Sequence, residues 1–174
     1  MRKNLFVVVF LGFGFTGVLA DSANFSTGPI IEGFGPAYPV ADAGVTPQSH
    51  FQVVFDIADA AKPGTSNRWM ESAARFLNMH GAAGVPAENL QVALVVHGAA
   101  AMDLTREKRK GETNASAELI AALIEAGVSI ELCGQTAAYR NIQPTDLLPG
   151  VKMALSAMTA HARLQQKGYT LNPF

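Results

Sequence analysis

The chain has 174 residues, 13 basic and 14 acidic side chains, 49% hydrophobic residues and a single cysteine. This length suits one domain with a buried core. The near-neutral charge gives no electrostatic case for nucleic-acid binding, and one cysteine excludes an internal disulfide framework. The densest basic run, Arg106 to Lys110 (REKRK), contains Glu107 and is followed by Glu112, which marks a solvated segment and not a phosphate-binding patch.

Residues 1–20 (MRKNLFVVVFLGFGFTGVLA) run from two basic residues through an uncharged apolar stretch to Val18-Leu19-Ala20. That order is an export signal, with cleavage expected after Ala20. The competing reading, a retained anchor, is weakened by Gly12, Gly14 and Gly17 within a stretch near the short end of a spanning helix. GFGFTG at 12–17 matches a dinucleotide-binding glycine pattern, but no strand precedes it, so it is discounted. Removal of Arg2 and Lys3 leaves 11 basic against 14 acidic residues, a net charge of about −3. No later stretch is long and apolar enough to span a bilayer, so the membrane is met only through the export signal.

Residues 21–49 are rich in Gly, Pro, Ala and Ser and show no periodicity, which predicts an extended arm. Its Ile30, Ile31, Phe34, Tyr38 and Val40 are expected to pack on something, either the domain surface or a neighbouring subunit. A regular pattern then begins. His50 to Ile57 reads as a strand. Asn67 to His80 reads as a helix capped by Ser66 and ended by Gly81. Leu90 to Val96 (LQVALVV) is a strand buried on both faces. Asn114 to Ala126 repeats apolar residues at helical spacing and stops at Gly127. Val128 to Leu132 is a third strand. A helical turn is expected around Thr136 to Tyr139 and another at Pro144. Val151 to Leu155 forms a fourth strand, Ser156 to Lys167 a helix, and Tyr169 to Leu171 a short fifth strand. Alternating strands and helices predict an α/β fold, a three-layer α/β/α sandwich with a mainly parallel sheet of about five strands. The organisation is thus 1–20 signal, 21–49 arm and 50–174 domain.

His50, His80, His97 and His161 show no metal-ligand spacing, and no metal or cofactor is expected. NFS at Asn24 and NAS at Asn114 are formal glycosylation sequons. His97 ends a buried strand and Cys133 ends the next one. In a parallel sheet both leave at the edge where ligands bind. Gly134 permits a sharp turn or close approach, and a helix starting near Gln135 would favour thiolate. Cys133 is therefore expected to be a reactive thiol open to solvent. The competing reading is a buried structural cysteine.

The segment from Ile130 to Phe174, with Cys133 after an internal strand, DLLPGV at 146–151 and LQQKGY at 164–169, resembles the DsrE/DsrF-like (YchN-like) family, as does VALVVHGAA at 92–100. The resemblance spans residues 50–174. It implies a parallel-sheet α/β fold, homo-oligomers and, in the sulfur-relay members, a cysteine that carries sulfur as a persulfide. Those members act in the cytoplasm, whereas an export signal implies the periplasm, so the fold transfers more securely than the activity. On this basis the expected function is a periplasmic sulfur-binding or sulfur-transfer protein working with a small sulfur compound or a thiol-bearing partner. Cys133 would be the acceptor and His97 its proton or charge partner. Gly98, Gly134, Gln135, Thr136, Arg140 and Asn141 would shape the pocket. A second reading is a homo-oligomeric binding or assembly module with a structural cysteine. A third is a cysteine hydrolase using Cys133 and His97, oriented by Asp103 or Asn141.

Overall fold

A computed structural model describes residues 25–106 and 112–172. The export segment, the Asn24 sequon and residues 107–110 of the basic run lie outside the described residues. Five strands, β1 (Phe51–Ile57), β2 (Leu90–Val96), β3 (Ser129–Cys133), β4 (Lys152–Ala154) and β5 (Thr170–Asn172), form one sheet in the order β4-β3-β2-β1-β5. Every pairing is parallel. The helices are α1 (Arg68–Ala82), α2 (Ala117–Glu125), α3 (Gly134–Arg140) and α4 (Ala157–Gln166).

The two sheet faces are covered unequally. Side chains alternate along a strand, so Val53, Phe55 and Ile57 of β1, Val92, Leu94 and Val96 of β2, and Ile130 and Leu132 of β3 share one face. They pack against Met70, Ala73 and Leu77 of α1 and Leu119, Ile120 and Leu123 of α2. The spacing of Met70, Ala73, Ala74 and Leu77 gives α1 a continuous apolar stripe for this contact. On the opposite face, among the described residues, a smaller buried set of Val54, Ala93 and Val95 meets Ala160 and Leu164 of α4, with Ala154, Ala157 and Tyr169 partly buried beside them. A fully buried large aliphatic or aromatic side chain is worth about 2 kcal/mol, so α4 gains much less from apolar burial than α1 or α2. Polar links supplement it: Arg163 of α4 binds both carboxylate oxygens of Glu131 on β3, and His161 binds Asp56 on β1. Asp56, Glu131 and Cys133 all occupy this thinly covered face.

The predicted elements form, with shifts at their ends. Helix α1 is capped by Asn67 and not by Ser66, because the Asn67 Oδ1 accepts from the Trp69 and Met70 amides at 2.9 and 3.2 Å. Asn67 is itself buried, its side chain donating to Asp103 and its backbone N–H donating to the Ser116 hydroxyl oxygen. Helix α2 starts three residues later than predicted because Asn114 is used in a turn. Its Nδ2 donates to the carbonyls of Asp103 and Thr105, both at 2.7 Å, and its Oδ1 accepts from Ser116. The NAS sequon asparagine is therefore buried and committed. A 3₁₀ segment, Gly98–Leu104, follows β2 and was not anticipated.

The arm folds onto its own domain. Asn78, buried in the middle of α1, accepts from the amides of Ile30 and Ile31 and donates to the carbonyls of Ile31, Phe34 and Gly35. Gly35 has φ +58°, and a Cβ there would lie 2.2 Å from the Arg75 amide nitrogen, so only glycine lets the arm lie this close to α1. Ile31 is buried, and Ile30 and Phe34 pack against the same core. Of the two surfaces expected to cover the arm, these three residues use that of their own domain. Phe25, Tyr38 and Val40 remain exposed.

Candidate functional site

Strand β3 passes into α3 with no intervening residue: Cys133 ends the strand and is the helix N-cap, with φ −62° and ψ 115°. A Cβ on Gly134 would lie 2.5 Å from the Ala154 carbonyl oxygen and 3.1 Å from that of Leu155. The corner is thus pressed against the connection from β4 to α4, and the Gln135 Nε2 donates to the Leu155 oxygen at 3.3 Å. Gly134 serves close backbone packing. The packing brings the start of α4 to the sulfur.

Cys133 is buried, with 6% of its surface exposed, which corrects the expectation of an open thiol. Its surroundings nonetheless differ from those of a core cysteine. Burial pushes the thiol up, but the backbone amide and hydroxyl of Thr136 and the backbone amides of Ala157 and Gln135 favour the thiolate and together hold the group below its ordinary value. The side chain closes no capping hydrogen bond, so these groups act on the sulfur as nearby dipoles. The donors come from the first turns of both α3 and α4, where unpaired amides and the helix field favour negative charge. The arrangement therefore eases ionisation of Cys133 to the thiolate, the nucleophilic form of cysteine.

His97 and Cys133 directly follow Val96 and Leu132, which pair in the ladder, so they leave neighbouring strands side by side. The His97 imidazole turns towards β1: its Nε2 lies 3.1 Å from Asp56 Oδ2. His161 Nε2 lies 2.6 Å from Asp56 Oδ1. One carboxylate thus joins two imidazoles drawn from α4 and from the residue after β2. Burial raises the Asp56 carboxyl, while hydrogen bonds from His161 and then His97, followed by their positive charge, bring it below its ordinary value. A carboxylate only accepts, so each Nε2 carries the hydrogen in these contacts. His97 is linked to the sulfur's surroundings through the next residue: the Gly98 amide donates to the Thr136 hydroxyl at 3.4 Å.

Gly98, Gly134, Gln135 and Thr136 are thus gathered around the corner that holds Cys133. Arg140 and Asn141 are not. They end the seven-residue α3, about 10 Å along its axis from Cys133 at 1.5 Å per residue. Asn141 adopts the left-handed conformation that closes the helix, and Arg140 borders a separate cavity with Met102 and Asp103. Asp103 is not the orienting group of His97 either. Its Oδ2 accepts from the Ala61 amide and the Asn67 side chain, both at 2.7 Å, so the hydrolase arrangement with Asp103 or Asn141 behind His97 is not formed. The residues that sequence reasoning missed are Asp56 and His161. The one available signal was a lone carboxylate near the carboxyl end of the apolar strand FQVVFDI.

Among solved structures the fold is similar to that of protein MTH1491 from Methanobacterium thermoautotrophicum, a protein of unknown function, with a TM-score of 0.54 and 19% identity over 71% of this chain and 99% of that one. It is also similar to the ychN protein from E. coli, with a TM-score of 0.52 and 18% identity over 71% of this chain and all of that one. At this identity the likeness establishes the fold, a five-stranded parallel α/β sheet. A comparison with curated proteins finds no match. The model of the DsrE/DsrF-like family matches residues 52–173, well over half of the sequence, and the chain belongs to that family.

Proposed function

We propose that the protein is a periplasmic sulfur-binding or sulfur-transfer protein that carries sulfur on Cys133 as a persulfide. Family membership supports a role of the sulfur-relay type. The observation that carries the assignment to Cys133 is its place at the corner where β3 enters α3, pressed against the start of α4, so that the first turns of two helices and the Thr136 hydroxyl lie beside its sulfur and ease its ionisation. In the loading step the thiolate attacks a sulfur of a polysulfide. A bond from Cys133 to that sulfur forms as the donor's sulfur–sulfur bond breaks, and the bonding pair leaves with the displaced sulfide. The same donors then stabilise the terminal anionic sulfur until a partner thiolate removes it. The export signal supports the periplasmic assignment and a mature chain beginning at Asp21.

The burial of Cys133 favours a second reading, an oligomeric binding or assembly module in which the cysteine only packs. Mass spectrometry after exposure to polysulfide or thiosulfate, with sulfide alone as the control that cannot load without an oxidant, separates the two. The sulfur-carrier reading expects a reductant-reversible gain of one sulfur that is absent in Cys133→Ser. Absence of any adduct on a folded native protein supports the second reading.

A further inference from the structure

We propose that the cavity between β3, β4 and the carboxyl-terminal half of α4 binds a small divalent oxyanion. The cavity holds about 290 Å³ and is bordered by Ser129, Glu131, Lys152, Arg163, Lys167 and Tyr169. Three cations thus face one carboxylate, in a chain whose formal charge is −1.

The carboxylate is already spent. Glu131 is 7% exposed, and the Nη2 of Arg163 engages both its oxygens. That contact fixes the guanidinium from a buried anchor and leaves its Nε and Nη1 without a hydrogen bond among the described residues. The planar fork of arginine suits the paired oxygens of an oxyanion. Lys152 lies directly beside Glu131 in the register of β3 and β4. Lys167 follows Arg163 by four residues, placing the two on one side of the α4 terminus. Neither lysine belongs to an ion pair among the described residues. The hydroxyl of Ser129 adds a neutral donor at the wall, and Tyr169, which donates its hydroxyl hydrogen to Gln91 at 3.4 Å, borders the cavity beside it. Two unpaired lysines beside a neutralised arginine–glutamate pair call for a ligand of charge about −2, and the cavity has room for a sulfate-sized ion with water. This inference stands on the cavity alone and does not depend on the role of Cys133.

Isothermal titration of the protein with sulfate, thiosulfate and phosphate, against chloride at matched ionic strength, tests it. Methyl phosphate distinguishes a free ion from the head group of a larger molecule. The expected result is saturable one-site binding of the dianions that weakens at least tenfold in Lys152→Gln/Lys167→Gln. Lys152→Arg/Lys167→Arg should retain binding, and both variants should melt as the native protein does without anion. Equal response to chloride, unchanged affinity in the glutamine variant, or binding of an acidic peptide with no binding of inorganic dianions would each overturn the proposal.

Discussion

A cysteine side chain is stabilised as thiolate only if the donors around it outweigh the cost of burying a charge. At Cys133 the hydroxyl and amide of Thr136 lead the favourable side. Thr136→Val keeps the shape and removes the hydroxyl, so alkylation of Cys133 at pH 7 should slow by roughly tenfold, the low end of the scale of one lost hydrogen bond to a charged group. Measuring the rate against pH should show the midpoint moving up. Asp56 has the opposite kind of consequence, for stability. Its folded value lies below the ordinary carboxylate value of about 3.9. Ionised Asp56 therefore contributes in full above that ordinary value and loses its contribution as pH falls through the lower, folded one. Denaturant unfolding between pH 2 and 6 should show this acid limb flattened in Asp56→Asn. Cys133, Thr136 and Gly134 were legible in the sequence because a strand end, a glycine and a helix start are local signals. Asp56 and His161 were not, because their contact joins residues 105 apart and nothing in either segment announces the other.

At the scale of elements, the two faces of the sheet are secured by different means. Apolar stripes hold α1 and α2, whereas α4 relies in part on Glu131 and Asp56. Arg163→Gln leaves Glu131 buried without its cation and should destabilise the protein by about 2 kcal/mol, below the usual cost of breaking a fully buried pair because Arg163 is half exposed. Adding Glu131→Leu to that variant should restore most of the loss, as a double-mutant cycle by denaturant titration would show. One side chain makes most of the polar contacts that hold residues 30–35 of the arm. Asn78→Ala removes five hydrogen bonds to its backbone and should cost about 3 kcal/mol, with residues 30–35 becoming cleavable by protease before the domain unfolds. The helical and strand periods were readable because each element has one dominant buried face. The arm's path was not, since Asn78 inside a helical pattern gives no sign that it serves a segment more than 40 residues away.

For the whole molecule, the order of strands and helices led to the parallel three-layer fold from the sequence, because alternation with short connections leaves few other topologies. The burial of Cys133 could not be read in the same way. It results from the start of α4 meeting the corner between β3 and α3, a packing of parts 20 residues apart. This burial sets the most direct test of the thiolate site: the alkylation rate of Cys133 in the native protein, measured against pH and against low concentrations of denaturant. A group that reacts from the folded state, or through local opening, is insensitive to denaturant well below the unfolding midpoint. The account predicts such a rate, rising with pH through a midpoint below the value of about 8.5 for a free cysteine and absent in Cys133→Ser. A rate that grows with denaturant in step with global unfolding, with the midpoint of an ordinary thiol, would make Cys133 a core residue and contradict the account.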